Sequence, residues 1–157
     1  MLQRIQTVYL FLVVVLMALT MILPVAEYFD AVKNVAFQLD YRGIVQTQPT
    51  DAGSPVLSAN PLTFLFGMVL VATLAALFKY KNRRQQFRLC TVNMFLILIY
   101  MIVLGVYIYL GRRALDGTEL SLKLPVIFPV IALILNFLAM RGIMKDENLI
   151  KSMNRLR

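Results

Sequence analysis

The third apolar stretch of this chain decides its fold. Residues Leu89–Leu110 read LCTVNMFLILIYMIVLGVYIYL and contain no Asp, Glu, Lys or Arg. A helix needs about 20 apolar residues to cross a hydrocarbon core roughly 30 Å thick. The stretch is therefore predicted to be a membrane-spanning helix.

Three further apolar stretches resemble it, at residues 5–23, 62–78 and 124–140. Pro24 ends the first, and Asn60 with Pro61 forms a helix-start signal before the second, with Asn60 as the cap. The fourth contains Pro125 in its first turn and Pro129, whose missing amide predicts a kink. We predict an all-α membrane protein with one domain, a bundle of four transmembrane helices.

The first stretch could instead be a secretory signal, because Arg4 precedes an apolar segment. That segment is long for a signal peptide, and residues Ile22–Ala26 offer no small-x-small cleavage site. We interpret it as a retained helix.

Composition excludes several classes of protein. Hydrophobic residues make up 60% of the chain and charged residues 15%, against about 25% charged in soluble domains, so a water-soluble globule is not expected. The chain has no histidine and one cysteine, Cys90, which removes His-based catalysis, dithiol redox chemistry and the usual zinc sites. We therefore expect no enzyme activity, no cofactor and no metal site.

The distribution of the net charge of +8 predicts orientation. If the amino terminus is inside, the inner loop 79–88 and the tail 141–157 are cytoplasmic, and the outer loops are 24–61 and 111–123. Basic residues are then concentrated inside, as the positive-inside rule requires. We expect both termini in the cytoplasm, contact with anionic lipid headgroups at that face, and no nucleic-acid partner, because no nucleic-acid-binding module accompanies the charge.

The outer loops contain alternating patterns. Residues Val35–Tyr41 alternate apolar and polar side chains, Gly43 offers a turn, and Ile44–Thr47 could form a second strand. Residues Leu120–Leu124 also alternate, whereas residues 48–60 are typical of a linker. Two alternatives remain: a small extracytoplasmic β cap in which Leu120–Leu124 pairs with Val35–Tyr41, or irregular loops on the membrane interface.

The tail has helical periodicity, with apolar residues on one side and basic residues elsewhere. It either lies on the inner leaflet as an amphipathic helix or continues the fourth span into the cytosol.

Polar residues within the spans are neutral. No charged residue falls inside the predicted spans, which argues against an ion pathway or a coupled transporter. Asn93 on the third span and Asn136 on the fourth are expected at similar depth, with Thr73 on the second near that level. We predict an interhelical polar contact among them, worth about 0.6 to 2 kcal/mol. Tyrosines near the span ends are expected to form an aromatic belt: Tyr28, Tyr80, Tyr107 and Tyr109.

The two ends of the chain resemble a known family. The opening MLQRIQTVYL, residues 1–10, and the tail IMKDENLIKSMNRLR, residues 143–157, are similar to the ends of domain of unknown function family 4293, four-span membrane proteins of Bacteroidota. The resemblance implies a bacterial inner-membrane location and supplies no activity. If these ends are the hallmark of the family, their charged residues are candidates for cytoplasmic docking: Arg4, Asp146, Glu147, Arg155 and Arg157.

These observations predict a function mainly by exclusion. We expect a non-catalytic inner-membrane protein that acts as a structural or assembly partner of another membrane component, whose identity the sequence leaves open. The alternative is a binder or carrier of a neutral, lipid-like molecule between the helices, a role that needs no buried charge.

Overall fold

The computed structural model of the protein describes residues 2–31, 34–47, 57–79, 82–115 and 117–155, with side chains from Ile5 to Lys145 within those ranges. It contains four long helices: α1 (Leu2–Ile22), α2 (Asn60–Phe78), α3 (Arg83–Ala114) and α4 (Phe128–Arg155). All four are long and apolar enough to cross a membrane. Each helix packs against the next in sequence, and α4 returns to pack against α1.

Several helix ends differ from the predicted span ends. Helix α3 begins at Arg83, inside the predicted inner loop, because the arginines and glutamines there are good helix formers. Asn60 is already the first residue of α2 rather than its cap, and Ala59 precedes it without a side-chain cap hydrogen bond. Helix α4 continues through Arg155, so the tail extends the fourth helix.

The predicted kink at Pro129 is wrong. A short 3-10 turn, Leu124–Ile127, contains Pro125, and α4 begins only at Phe128. Pro129 is thus in the first turn of its helix, where a missing amide removes no internal hydrogen bond.

Within the described residues, the two segments predicted as outer loops form one antiparallel sheet of five strands: β1 (Ala26–Asp30), β2 (Val35–Asp40), β3 (Gly43–Gln46), β4 (Leu57–Ser58) and β5 (Glu119–Leu122). The strand order is β4-β3-β2-β1-β5. A sheet therefore replaces the irregular-loop alternative, and residues 57–58, predicted as linker, belong to it.

The predicted pairing of Leu120–Leu124 with Val35–Tyr41 is wrong. Strand β5 pairs with β1, which no alternation in the sequence indicated, and β1 separates β5 from β2. In this register Tyr28 lies between Phe37 and Leu120. The sheet thereby joins the segment after α1 to the segment before α4.

Large apolar side chains cover the outside of the helices. On α2, Phe64, Val71 and Phe78 are 69%, 68% and 73% exposed. They lie at seven-residue spacing on one face, while Phe66, Val69 and Thr73 are buried on another. A soluble monomer rarely leaves so large an apolar surface uncovered. This face suits contact with lipid chains.

Candidate functional site

Two buried asparagines join α3 to α4 between the helices. Asn93 and Asn136 are both fully buried. The Nδ2 of Asn93 donates to Oδ1 of Asn136 at 3.2 Å, and the Nδ2 of Asn136 donates to the carbonyl oxygen of Cys90 at 2.9 Å. The structure thus contains the contact that the spacing of these residues predicts.

The second of these hydrogen bonds fixes the orientation of the first. Because Asn136 uses its amide nitrogen to donate to the Cys90 carbonyl, its Oδ1 remains as the acceptor for Asn93, and Asn93 can meet that oxygen only with its own amide nitrogen. The Oδ1 of Asn93 is then left buried without a partner among the described residues. The two hydrogen bonds therefore join α3 to α4 in one orientation and leave one acceptor, the Oδ1 of Asn93, unused.

Thr73 does not take part in this contact. It is fully buried on α2, but its hydroxyl donates to the carbonyl oxygen of Val69 in the same helix at 2.7 Å. The hydroxyl of a helical threonine can reach the carbonyl oxygen four residues earlier, and in apolar surroundings that oxygen is the acceptor at hand. The expectation that Thr73 is an interhelical polar contact is therefore corrected.

The sheet docks on α3 through a tyrosine and a glycine. Tyr28, on β1, is fully buried, and its hydroxyl donates to the carbonyl oxygen of Ile108 at 3.0 Å. A Cβ added to Gly111 would lie 2.5 Å from the Tyr28 hydroxyl oxygen and 2.8 Å from Cδ1 of Ile44. The ring therefore needs the bare backbone of Gly111, and Tyr28 is a docking residue rather than part of an aromatic belt.

A second tyrosine ties the sheet to α3, and a third is exposed. The hydroxyl of Tyr107 donates to the carbonyl oxygen of Ser58, at the end of β4, at 3.1 Å. Tyr109 is 65% exposed, as a belt residue would be, and Tyr80 lies outside the described residues. The sequence pattern did not separate docking tyrosines from belt tyrosines, because both kinds occur near span ends.

An ion pair and a hydrogen bond link β1 to β2 and to the residue that follows β5. Nζ of Lys123 lies 2.7 Å from Oε2 of Glu27, and Nε2 of Gln38 donates to Oε1 of the same carboxylate at 2.8 Å. The hydrogen bond from Lys123 lowers the pKa of Glu27, and the bond from Gln38 adds to this against partial burial. The contact holds β2 and the end of β5 against β1.

The candidate cytoplasmic docking residues fall outside the described side chains. The backbone of Arg4 lies in α1, and that of Asp146, Glu147 and Arg155 in α4, while Arg157 is outside the described residues. Among the residues that the structure describes, no three potential metal ligands of the His, Cys, Asp and Glu types cluster together. Cys90 is a free, fully buried thiol.

These features define a class of protein: four helices of membrane-spanning length and apolarity that carry a small antiparallel sheet docked on one end. The chain belongs to the family described as Domain of unknown function (DUF4293), whose model matches residues 2–156. The resemblance of the chain ends to this family is thereby confirmed. No curated protein and no solved structure matches the chain.

Proposed function

We propose that this protein is a non-catalytic component of a bacterial inner membrane that acts as a structural or assembly partner of another membrane protein. The observation that carries the proposal is that the sheet is docked on the end of the helices and has an edge strand. It is folded, fixed to α3 through Tyr28 and Gly111, and ends in β5 at one edge. A rigid surface outside the apolar layer suits recognition of another protein.

The edge strand is the favoured docking surface. One side of β5 pairs with β1, and among the described strands the other side has no neighbour. An unpaired strand edge can accept a strand from a partner through backbone hydrogen bonds. Leu122 and the adjacent Leu124, 56% and 74% exposed, would supply apolar contacts beside it.

The polar residues buried between the helices favour an assembly role over a transport role. The polar groups there are neutral, and Asn93 and Asn136 bond to each other and to the backbone. Polar residues that carry ions or protons through membranes are usually ionisable. Contacts between amides are typical of residues that hold helices together.

The proposed orientation has both termini in the cytoplasm and the helices arranged as a four-helix membrane bundle. Neighbouring helices run antiparallel, so Arg83 and Arg84 of α3 lie at the same end as Arg141 and Lys145 of α4. The sheet is at the opposite end. The positive-inside rule assigns the basic end to the cytoplasm, where it would contact anionic headgroups.

Cysteine labelling tests the orientation. In a Cys90→Ala background, Ser121→Cys on β5 and Asn82→Cys before α3 provide exposed probes at opposite ends. An impermeant maleimide should label Ser121→Cys in spheroplasts and Asn82→Cys only in inverted vesicles. The reverse pattern would overturn the orientation.

Crosslinking tests the assembly role. A photo-crosslinking amino acid at Ser121, on the free edge, should capture one stoichiometric membrane protein from native membranes. The same group at Thr47, which is exposed at the far end of β3, is the matched control and should capture much less of it. Capture of lipid with no protein at either position would reject the proposal in favour of the carrier.

A further inference from the structure

The free edge of β5 carries unpaired backbone groups at two leucines. Lys123 continues the strand in extended conformation and donates its N–H to the carbonyl oxygen of Val25, so its backbone groups face β1. Backbone groups alternate in direction along a strand. Those of Leu120 and Leu122 therefore face away from β1, at the edge that has no neighbour among the described strands.

The side chains of the same two leucines lie on the face of the sheet that packs on the helices. Leu120 is opposite the buried Tyr28, and Leu122 is opposite the buried Ala26. Leu120 is half-buried, whereas Leu122 is 56% exposed at the edge of the sheet. An uncovered apolar side chain beside unpaired backbone groups suits the addition of another strand.

The opposite edge of the sheet is less available. Strand β4 has two residues, Leu57 and Ser58, and the carbonyl oxygen of Ser58 already accepts a hydrogen bond from Tyr107. A strand of that length offers little pairing. Of the two edges that the structure describes, β5 is therefore the one to which a strand can add.

The sequence along this edge is complementary to itself. Residues 119–123 read ELSLK. When two antiparallel copies pair about Ser121, each Glu119 comes opposite the Lys123 of the other copy. Opposite charges that face each other across strands stabilise the pairing, and like charges destabilise it. A lysine on a strand edge usually discourages pairing, but here it faces a carboxylate and favours this register.

The same register joins the free backbone groups. Pairing about Ser121 places Leu120 opposite Leu122 twice, and because each such pair exchanges two hydrogen bonds, four form. A register centred on either leucine gives one such pair within the strand and places Glu119 or Lys123 opposite Ser121. Backbone geometry and side-chain charge therefore select the same register.

We infer that β5 pairs with β5 of a second copy of this chain about Ser121, which joins the two sheets into one. The inference rests on the proposed function and deepens it: β5 remains the docking surface, and the membrane protein that docks there is a second copy. Such a pair is related by a two-fold axis perpendicular to the sheet. The helix-packed faces of both sheets then point the same way, so both copies fit one membrane in the same orientation.

The contact is small, so the dimer depends on the membrane. Small interfaces are weak, but two copies that share one membrane and one orientation have a raised effective concentration. We expect dimers in the membrane and monomers in dilute detergent. Lys123 keeps its contact with Glu27 in the dimer, because an ammonium has three donors.

Disulfide formation in membranes tests the pairing. In a Cys90→Ala background, Ser121→Cys places two thiols opposite each other, on Cα atoms about 4.5 Å apart, which is within the range of a disulfide. Membranes that are reduced and then mildly oxidised should give a covalent dimer as the main product. Thr47→Cys, exposed at the far end of β3, is the matched control and should give only the yield of random collisions.

Charge reversal tests the register. Added to Ser121→Cys, Glu119→Lys places lysines opposite each other at both ends of the pair and should lower the yield of dimer about fivefold. Lys123→Glu should do the same with carboxylates. Co-expression of the two variants with different tags restores opposite charges at both ends and should restore a mixed dimer. Glu119→Lys, at an exposed position, should keep its unfolding temperature in dilute detergent.

The outcomes separate this inference from the proposed function. Equal yields from Ser121→Cys and Thr47→Cys, or a failure of the mixed pair to restore the dimer, would overturn the inference. A photo-crosslinking group at Ser121 in cells that hold two tagged copies gives the distinction. Capture of a different membrane protein without the second copy would overturn the inference and support the proposed function, whereas capture of no protein would overturn both.

Discussion

The helices and the sheet of this protein are built in opposite ways. Between the helices, the fully buried residues include Asn93 and Asn136 beside apolar ones such as Ile97, while the outward faces carry large apolar side chains such as those of Phe64 and Ile102. In the sheet, Tyr28 and Ile44 are fully buried, and polar side chains such as those of Glu27 and Gln38 lie on the other face. The outward surface of the helices therefore suits a lipid environment, and that of the sheet suits water.

The difference shows which forces stabilise each region. Helices surrounded by lipid chains gain little by burying apolar surface, so close packing and polar contacts hold them together. The sheet gains from burial in the usual way, because water is the alternative environment of its apolar face. The Tyr28–Gly111 contact joins the two regions, and a change there should affect both.

Gly111→Ala should have the largest effect. The new Cβ would overlap Tyr28 and Ile44, and overpacking of this kind costs about 1 to 3 kcal/mol. We expect a lower unfolding temperature in detergent and faster amide hydrogen exchange in β1 and β2. The helices themselves should keep their helical content.

Gly105→Ala is the matched control for this change. Gly105 lies on the same helix, and a Cβ there would meet nothing within 4 Å. Alanine is also the better helix former by roughly 0.5–1 kcal/mol, so this variant should be as stable as the wild type or more stable. If both alanine variants unfold at one temperature, the sheet does not depend on the close approach at Gly111.

Asn136→Leu should have the next largest effect, confined to the helices. It removes the acceptor of Asn93 and leaves the Asn93 amide buried without a partner, at a cost of about 0.6 to 2 kcal/mol. Amide exchange in the sheet should not change. The measurement is the free energy of unfolding in detergent.

The asymmetry of the Asn93–Asn136 contact predicts that the two single leucine variants differ in stability. Asn93→Leu should cost less than Asn136→Leu, because it removes the unpaired Oδ1 and leaves the bond from Asn136 to the Cys90 carbonyl intact. The double variant should cost less than the sum of the two single changes. Strict additivity of the two costs would mean that the asparagines do not stabilise each other.

The sequence predicted the helices well because lipid imposes a length and an apolarity that composition alone reveals. It also predicted the Asn93–Asn136 contact, since depth in the membrane can be counted along two neighbouring helices. β1 was missed because Ala26–Asp30 is short and shows no clear alternation of apolar and polar residues. Its pairing depends on the nearby β2 and also on β5, which is distant in sequence.

The docking residues were not predictable for a related reason. Nothing local marks Gly111 as a contact for Tyr28, since 83 positions separate them and the glycine has an ordinary helical neighbourhood. Tyr28 followed the same pattern as a belt tyrosine. Only the tertiary fold distinguishes a side chain that faces the protein from one that faces the membrane interface.

Glu27→Gln should have the smallest effect and should depend on pH. The side chain of Glu27 is 30% exposed and that of its partner Lys123 is 41% exposed, and exposed ion pairs contribute about 0.2 to 1 kcal/mol. Because the folded protein lowers the pKa of Glu27, the contribution is present above the unfolded value of about 4.3 and is lost as the pH falls through the folded value.

The difference in unfolding free energy between the wild type and Glu27→Gln should therefore be constant near neutral pH and shrink toward zero in acid. Taking the difference matters because burial raises the pKa of Asp40, so that this carboxyl alone would make the folded state more stable as the pH falls. Glu119→Gln changes the same charge away from the ion pair and should give no comparable difference. A gap between wild type and Glu27→Gln that widens in acid would show that the Lys123 contact does not stabilise the sheet, and that its cohesion comes from the buried face alone.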